Sequence, residues 1–150
     1  MSKTETNKTK LDSIGFEALD TLSKTAQSLK QDPSGEMAPF AVLVFKDNEE
    51  MAIFTIYSDS EAIESTEFLA QLINALREEL KTERYSYVGI CNDLTGTYED
   101  GERFDAFGFY LERDTHEAWS FVQTYKVHSD GSIETGDFCE HEAADQDRLF

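Results

Sequence analysis

Six consecutive apolar residues, Phe40-Ala41-Val42-Leu43-Val44-Phe45, constrain the fold of this chain more than any other feature. A strand that covers a core on one face alternates apolar and polar side chains, whereas an unbroken apolar run of this length predicts burial on both faces. Such a strand belongs in the middle of a sheet. Residues 46–50 form a polar turn, and residues 51–57 predict a second strand, so the two strands should form a hairpin.

Two segments have the apolar spacing of a helix. In the first, apolar residues recur at steps of three and four from Leu11 to Leu29, Asp12 or Ser13 caps the start, and residues 32–35 end the helix. The second helix is predicted over residues 61–82, with one stripe of leucine and isoleucine and a capping-box pair at its start, Ser58 and Glu61. We expect this stripe to be ordinary core.

The second half of the chain is rich in strands. We predict strands over residues 85–94, 104–112 and 118–127, a polar loop at 95–102 and a short edge strand over 133–138. Short turns join successive strands, which should therefore be antiparallel. The predicted fold class is α+β: an antiparallel sheet of five or six strands with two main helices on one face, in the order helix, two strands, helix, three or four strands. This order resembles that of profilin-like and roadblock-type domains.

Chain length and cysteine content fit a single domain without disulfides. A chain of 150 residues can bury about 69% of its extended surface, enough for a core of its own. We predict a flexible polar leader over residues 1–10, one domain over 11–138 and an acidic tail over 139–150. Two cysteines are too few for a disulfide framework, and the first residues lack the apolar stretch of a signal peptide, so we expect a cytoplasmic location.

The charge of the chain disfavours several kinds of partner. Asp and Glu number 31 against 13 Lys and Arg, which gives a net charge of −18. Such a surface repels nucleic-acid phosphates and anionic membranes, and no apolar run is long enough to cross a bilayer, so we expect neither partner. It attracts basic proteins and cations, although solubility alone explains the charge equally well.

Several motifs of residues 38–127 occur together in one group of proteins. They are Pro39-Phe40-Ala41-Val42, the acidic helix from Ser58 to Leu80, Asp105-Ala106 leading into Phe109-Tyr110-Leu111-Glu112-Arg113-Asp114, and the aromatic strand from Trp119 to Tyr125. With these motifs the segment resembles a group of small uncharacterised bacterial proteins without assigned activity. The resemblance implies no functional residue, because the group has no assigned activity.

Standard catalytic and nucleotide-binding motifs are absent from the sequence: there is no glycine-rich phosphate loop, nucleophile elbow, zinc-protease helix or Cys-x-x-Cys pair. We therefore predict no catalytic residue, no cofactor and no metal ligand. The run Cys139-Glu140-His141-Glu142 has the chemistry of metal ligands, but one short segment supplies two ligands at most, whereas structural zinc needs four.

A small enzyme or ligand-binding domain, with a pocket between the sheet and the helices, is the alternative function. Its candidate residues are Cys91, Asp93, Asp105, His116 and His128. The two histidines stand at opposite ends of one predicted strand, so at most one of them can act as a base for the cysteine. We expect Cys91 to be a small buried hydrophobe instead.

Two features favour a protein-interaction module. The predicted loop and its flanks are acidic, at Asp93, Glu99, Asp100, Glu102 and Asp105, with a spacing that does not fit a calcium loop. Strands 104–112 and 118–127 carry aromatic residues on both faces, which indicates either cross-strand core packing or an exposed interface.

The predicted interaction surface combines these features. Its residues are Asp100, Glu102, Phe109, Trp119 and Phe121. A basic protein or a second copy of the chain is the expected partner, held by apolar contacts after electrostatic attraction. On this prediction the protein is a small adaptor, inhibitor or chaperone-like module.

Overall fold

A computed structural model describes residues 10–30, 37–56, 65–141 and 149–150 of the chain. The elements are α1 (Ser13–Leu29), β1 (Phe40–Phe45), β2 (Met51–Phe54), α2 (Ser65–Leu80), β3 (Tyr85–Thr97), β4 (Arg103–Arg113), β5 (Ala118–Val127), β6 (Ile133–Thr135) and β7 (Cys139–His141). The predicted α+β class is confirmed. Residues 32–35 and the Ser58–Glu61 pair lie outside the described residues, as does the predicted leader except for Lys10.

The described strands form one antiparallel sheet in the order β2-β1-β3-β4-β5-β6. β7 also pairs with β5, at Ser120–Val122, whereas β6 pairs with Tyr125–Val127. Over the described residues the sheet has seven strands rather than five or six, because the predicted edge strand over 133–138 ends at Thr135 and the chain returns as β7. The likeness to profilin-like and roadblock-type domains is loose and depends on the element order.

β1 is buried on both faces, as its apolar run predicted. Phe40, Val42 and Val44 belong to the core on which α1 packs, and Ala41 and Leu43 belong to the core on which α2 packs. Successive strand residues point to opposite faces, so the two helices lie on opposite faces of the sheet. The expectation that both helices cover one face is wrong. Each helix has one apolar stripe, and a sheet whose central strand is apolar on both faces needs a cover on each.

Asp12 fixes the start of α1 against the sheet. Its Oδ1 accepts the Gly15 N–H at 2.9 Å and the Tyr87 hydroxyl at 2.8 Å, and its Oδ2 pairs with the guanidinium of Arg113. Burial by itself would raise the pKa of this carboxyl, but the hydrogen bonds and the Arg113 charge together hold the pKa below its usual value. One carboxylate therefore caps the helix and ties it to β3 and β4.

We expect Asp12→Ala to lower the free energy of unfolding at pH 7 by about 1–2 kcal/mol, because the cap is lost. Asp12→Asn keeps the capping oxygen, loses only the charge and should cost less. Since the folded pKa is lowered, the contribution of the charge is present above the unfolded pKa and disappears as the pH falls through the folded pKa. Urea unfolding from pH 7 to pH 2.5 should show the difference between wild type and Asp12→Asn shrinking; a constant difference would contradict this.

α2 covers β1 and β3 through Leu72, Leu76 and Leu80, and Leu149 packs into the same cluster. Residues 139–141 form β7, and Leu149 is buried. The sheet and this core therefore include residues from the segment that was predicted as an acidic tail.

Candidate functional site

The aromatic members of the predicted interaction surface are core residues. Phe109, Trp119 and Phe121 are 1–6% exposed. Tyr87 lies 6.2 Å from Trp119 between ring centroids, and Phe138 meets Phe109 and Phe121 edge-on at 5.7 and 6.4 Å. The expectation that these three side chains lie at the surface has to be corrected, because other parts of the same chain cover them.

Asp100 and Glu102 are exposed at the tip of the hairpin formed by β3 and β4. The Asp100 Oδ1 accepts the Glu102 N–H at 2.9 Å, which closes the turn. Both carboxylates therefore stand on a short connection rather than in the polar loop over residues 95–102 that the sequence predicted, because β3 continues to Thr97 and β4 already begins at Arg103.

Large apolar side chains cover one face of the hairpin next to this tip. The rings of Tyr98 and Phe104 are 4.6 Å apart, and the Phe104 ring lies across Gly96, where a Cβ would come within 2.2 Å of it. Tyr98 is 51% and Leu94 is 39% exposed. Sequence reasoning missed Leu94 and Tyr98, although their alternation with Gly96 was the available signal. We call Leu94, Tyr98, Asp100, Glu102 and Phe104 the hairpin surface.

A cleft of about 490 Å³ lies at the hairpin surface, between the hairpin and the paired strands β5 and β6. Glu102, Asp105 and Glu134 contribute carboxylates to its walls, and Arg103 and Lys126 contribute cationic groups. The rings of Tyr98 and Phe104 complete it. Aromatic faces beside carboxylates suit a guanidinium or ammonium group, which both attract.

A polar cluster joins the end of α1 to the sheet. The Lys30 Nζ lies 3.1 Å from Oδ2 of Asp93, and the Tyr125 hydroxyl donates a hydrogen bond of 2.6 Å to Oδ1. Burial and this bond to the carboxylate raise the pKa of the Tyr125 hydroxyl. A carboxylate that is already held by a lysine and a tyrosine has the role of a structural tie, since both of its oxygens are engaged.

The residues of the alternative enzyme hypothesis do not converge on a nucleophile. Cys91 is fully buried, and burial together with the Asp93 charge raises the pKa of its thiol, which keeps it in the weakly nucleophilic neutral form. His116 lies in the β4–β5 turn and His128 directly follows β5, so they stand beyond opposite ends of that strand. Asp105 is exposed at the cleft beside the hairpin surface.

Three residues of the run with metal-ligand chemistry, Cys139, Glu140 and His141, form β7. Cys139 and His141 alternate with Glu140 along this strand, so the run presents at most two ligands to one face. Among the described residues, no group of three or more His, Cys, Asp or Glu is arranged to hold a metal ion. Glu142 lies outside the described residues.

Glu112 is the most unusual side chain that the sequence analysis did not single out. It is 0% exposed on the α2 face of β4, where its Oε1 accepts the Tyr110 hydroxyl at 2.7 Å and the Leu149 N–H at 2.6 Å. Its Oε2 accepts the Phe150 N–H at 2.9 Å. Burying a carboxylate is costly unless donors replace its water, and these three donors do so. The available signal was an acidic residue on the face of the strand that otherwise carries Phe104, Ala106, Gly108 and Tyr110.

The chain matches no protein-family model, no curated protein and no solved structure. The resemblance of residues 38–127 to small bacterial proteins therefore stays a prediction. Within the described residues, no helix combines the length and apolar character that a membrane crossing requires. Any function assigned to this chain consequently depends on its own geometry and charge.

Proposed function

We propose that this protein is a small acidic interaction module, acting as an adaptor, inhibitor or chaperone-like protein in the cytoplasm, and that the hairpin surface binds a basic protein partner. One observation carries the proposal: the exposed Tyr98 ring and its neighbour Phe104 lie beside carboxylates on a chain of net charge −18. Interfaces combine apolar or aromatic anchors with a polar rim, and complementary charge speeds the encounter.

The carboxylates and aromatic rings of the cleft favour a partner protein with an exposed arginine or lysine. Such a side chain can stack on the Tyr98 ring while its charge meets Glu102, Asp105 or Glu134. Nucleic acids and anionic membranes carry the opposite charge from such a partner and are not proposed. The alternative of a small enzyme has less support, because burial keeps the Cys91 thiol neutral.

The experiment is a parallel affinity purification with four tagged proteins: wild type, Asp100→Asn/Glu102→Gln, Tyr98→Ala, and Glu17→Gln/Glu67→Gln. The last variant changes the net charge by the same amount, at one exposed position on each helix instead of on the hairpin. Asparagine at position 100 retains the oxygen that closes the turn. A recovered basic protein is then titrated against each variant at low and high salt.

We expect the double hairpin variant to bind the partner about 5- to 30-fold more weakly, with a smaller salt dependence, because two rim charges are lost. The affinity of the Tyr98→Ala variant for the partner should be lower by about tenfold or more, because an aromatic anchor is removed. The helix control should bind within about twofold of wild type. Equal losses in the control and the hairpin variant would overturn the proposed surface, and recovery of the chain alone would replace the basic partner with a second copy, to be measured by sedimentation.

A further inference from the structure

We propose that the groove around Glu112 is a second binding site, for a short peptide with two adjacent large apolar residues, and that this chain's own Leu149 and Phe150 occupy it. We call Leu80, Tyr85, Tyr110 and Glu112 the Glu112 groove. It lies between the end of α2 and the sheet, on elements other than the hairpin tip. The Glu112 groove and the hairpin surface are independent sites, and each can be tested without the other.

The recognition in the groove is directed at the peptide backbone. Two successive N–H groups, of Leu149 and Phe150, converge on the two oxygens of one carboxylate. Converging successive N–H groups form a concave anion site, and here the protein supplies the anion from a buried strand position. Because backbone N–H groups are common to all residues except proline, this contact does not itself require the sequence Leu-Phe.

The side-chain contacts supply the preference for apolar residues. Leu149 is buried in the α2-face cluster, and Phe150 packs against it. The carboxylate lies 37 residues away from Leu149 in the sequence, so the docked pair is held by tertiary contacts rather than by a neighbouring turn. Tyr110 donates its hydroxyl to the same carboxylate oxygen and holds it in place.

The groove extends beyond the docked pair. A cleft of about 470 Å³ continues beside Phe150, with Lys46, Lys81 and His116 in its walls. A peptide that continues past the apolar pair therefore has space on the protein. A site that already holds two residues of a chain and continues as an open cleft fits a peptide better than a compact small molecule.

The test uses the full chain and a defined probe. The probe is a fluorescent, C-terminally amidated peptide with the sequence of residues 142–150, and its binding is followed by anisotropy. The full-length variant Leu149→Ala/Phe150→Ala keeps the chain length but weakens the occupant. We expect the peptide to bind this variant at least about tenfold more tightly than wild type, because the occupant of the wild-type groove competes.

Two controls distinguish binding through Glu112 from nonspecific hydrophobic binding of the peptide. A peptide with N-methyl groups on the amides of its last two residues keeps both side chains and lacks the two donors, so its affinity should fall about tenfold or more. Adding Glu112→Gln to the double variant should have a similar effect. Adding Glu17→Gln instead, an exposed residue on α1 at the opposite face of the sheet, should leave binding within about twofold.

Equal binding of the methylated and unmethylated peptides would overturn the proposal, as would equal affinities of wild type and the double variant. Circular dichroism checks that the double variant is folded. If it is not, hydrogen exchange of the Leu149 and Phe150 amides is measured in the wild-type chain with excess peptide. Displacement predicts that exchange at these two amides accelerates several-fold, and unchanged exchange at every peptide concentration rejects the site.

Discussion

Trp119→Ala is expected to lower the free energy of unfolding by about 3–5 kcal/mol, the range for removing a large aromatic side chain from a core. Trp119 is among the largest fully buried side chains, and its ring contacts that of Tyr87. Alanine leaves a cavity that the surrounding sheet cannot close, because neighbouring rings are fixed by their own contacts. Urea unfolding at pH 7 measures the change.

Tyr98→Ala is the matched aromatic control for this prediction. Tyr98 is exposed at the hairpin tip, so its loss should cost less than about 1 kcal/mol of stability while weakening partner binding. We thus expect Trp119→Ala to lower mainly the free energy of unfolding and Tyr98→Ala to lower mainly the affinity for the partner. If Trp119→Ala lowers the free energy of unfolding by less than about 1 kcal/mol, the side chain is exposed, as the interaction surface predicted from the sequence requires.

Leu22→Ala should cost about 2–5 kcal/mol, because Leu22 fills the contact between α1 and the sheet. A Cβ added at Gly89 would lie only 2.7 Å from the Cδ1 of Leu22. The glycine therefore lets α1 approach β3 closely. Leu29, on the same helix, is 52% exposed, whereas Leu22 is 0% exposed. Leu29→Ala should therefore change the free energy of unfolding by less than about 0.5 kcal/mol. Equal effects of the two substitutions would contradict the orientation of α1.

The placement of the helices on opposite faces has its own check. Leu22 and Leu76 belong to separate core clusters on the two sides of the sheet. Shortening each to valine removes one methylene, and the two losses should add within about 0.5 kcal/mol because the residues pack in different clusters. A larger coupling energy would support the single-face arrangement that the sequence had predicted.

Much of the local structure could be predicted from the sequence. The bounds of β1 and β5 were predicted correctly, as was Asp12 as one of two candidate caps, since each depends on neighbouring residues alone. The long β3–β4 hairpin was shortened in the prediction, because residues 95–102 contain polar and turn-forming residues. Cross-strand packing of Phe104 on Gly96 extends the pairing there, and this contact joins residues eight positions apart.

Only part of the candidate sites could be predicted from the sequence. Asp100 and Glu102 were predicted at an exposed turn, because Asp-Gly and clustered acids favour one. Phe109, Trp119 and Phe121 were assigned to the interaction surface, because a surplus of aromatics does not reveal that Tyr87 and Phe138 cover them. Glu112 was overlooked, because two of its hydrogen-bond donors are backbone amides 37 and 38 residues further along the chain.

The sequence by itself determined where both helices and the strands β1, β4 and β5 lie and that β1 is apolar on both faces, because side-chain period and capping chemistry act over a few neighbours. Only the tertiary structure decided which helix covers which face, which aromatics remain exposed and how a carboxylate can be buried. Those outcomes depend on contacts between residues far apart in the chain, such as Glu112 with Leu149 and Ser23 with Gln123. Such a contact stabilises the fold because each buried polar group finds in the other the hydrogen-bond partner that replaces its lost water, and neither partner's local sequence records the other.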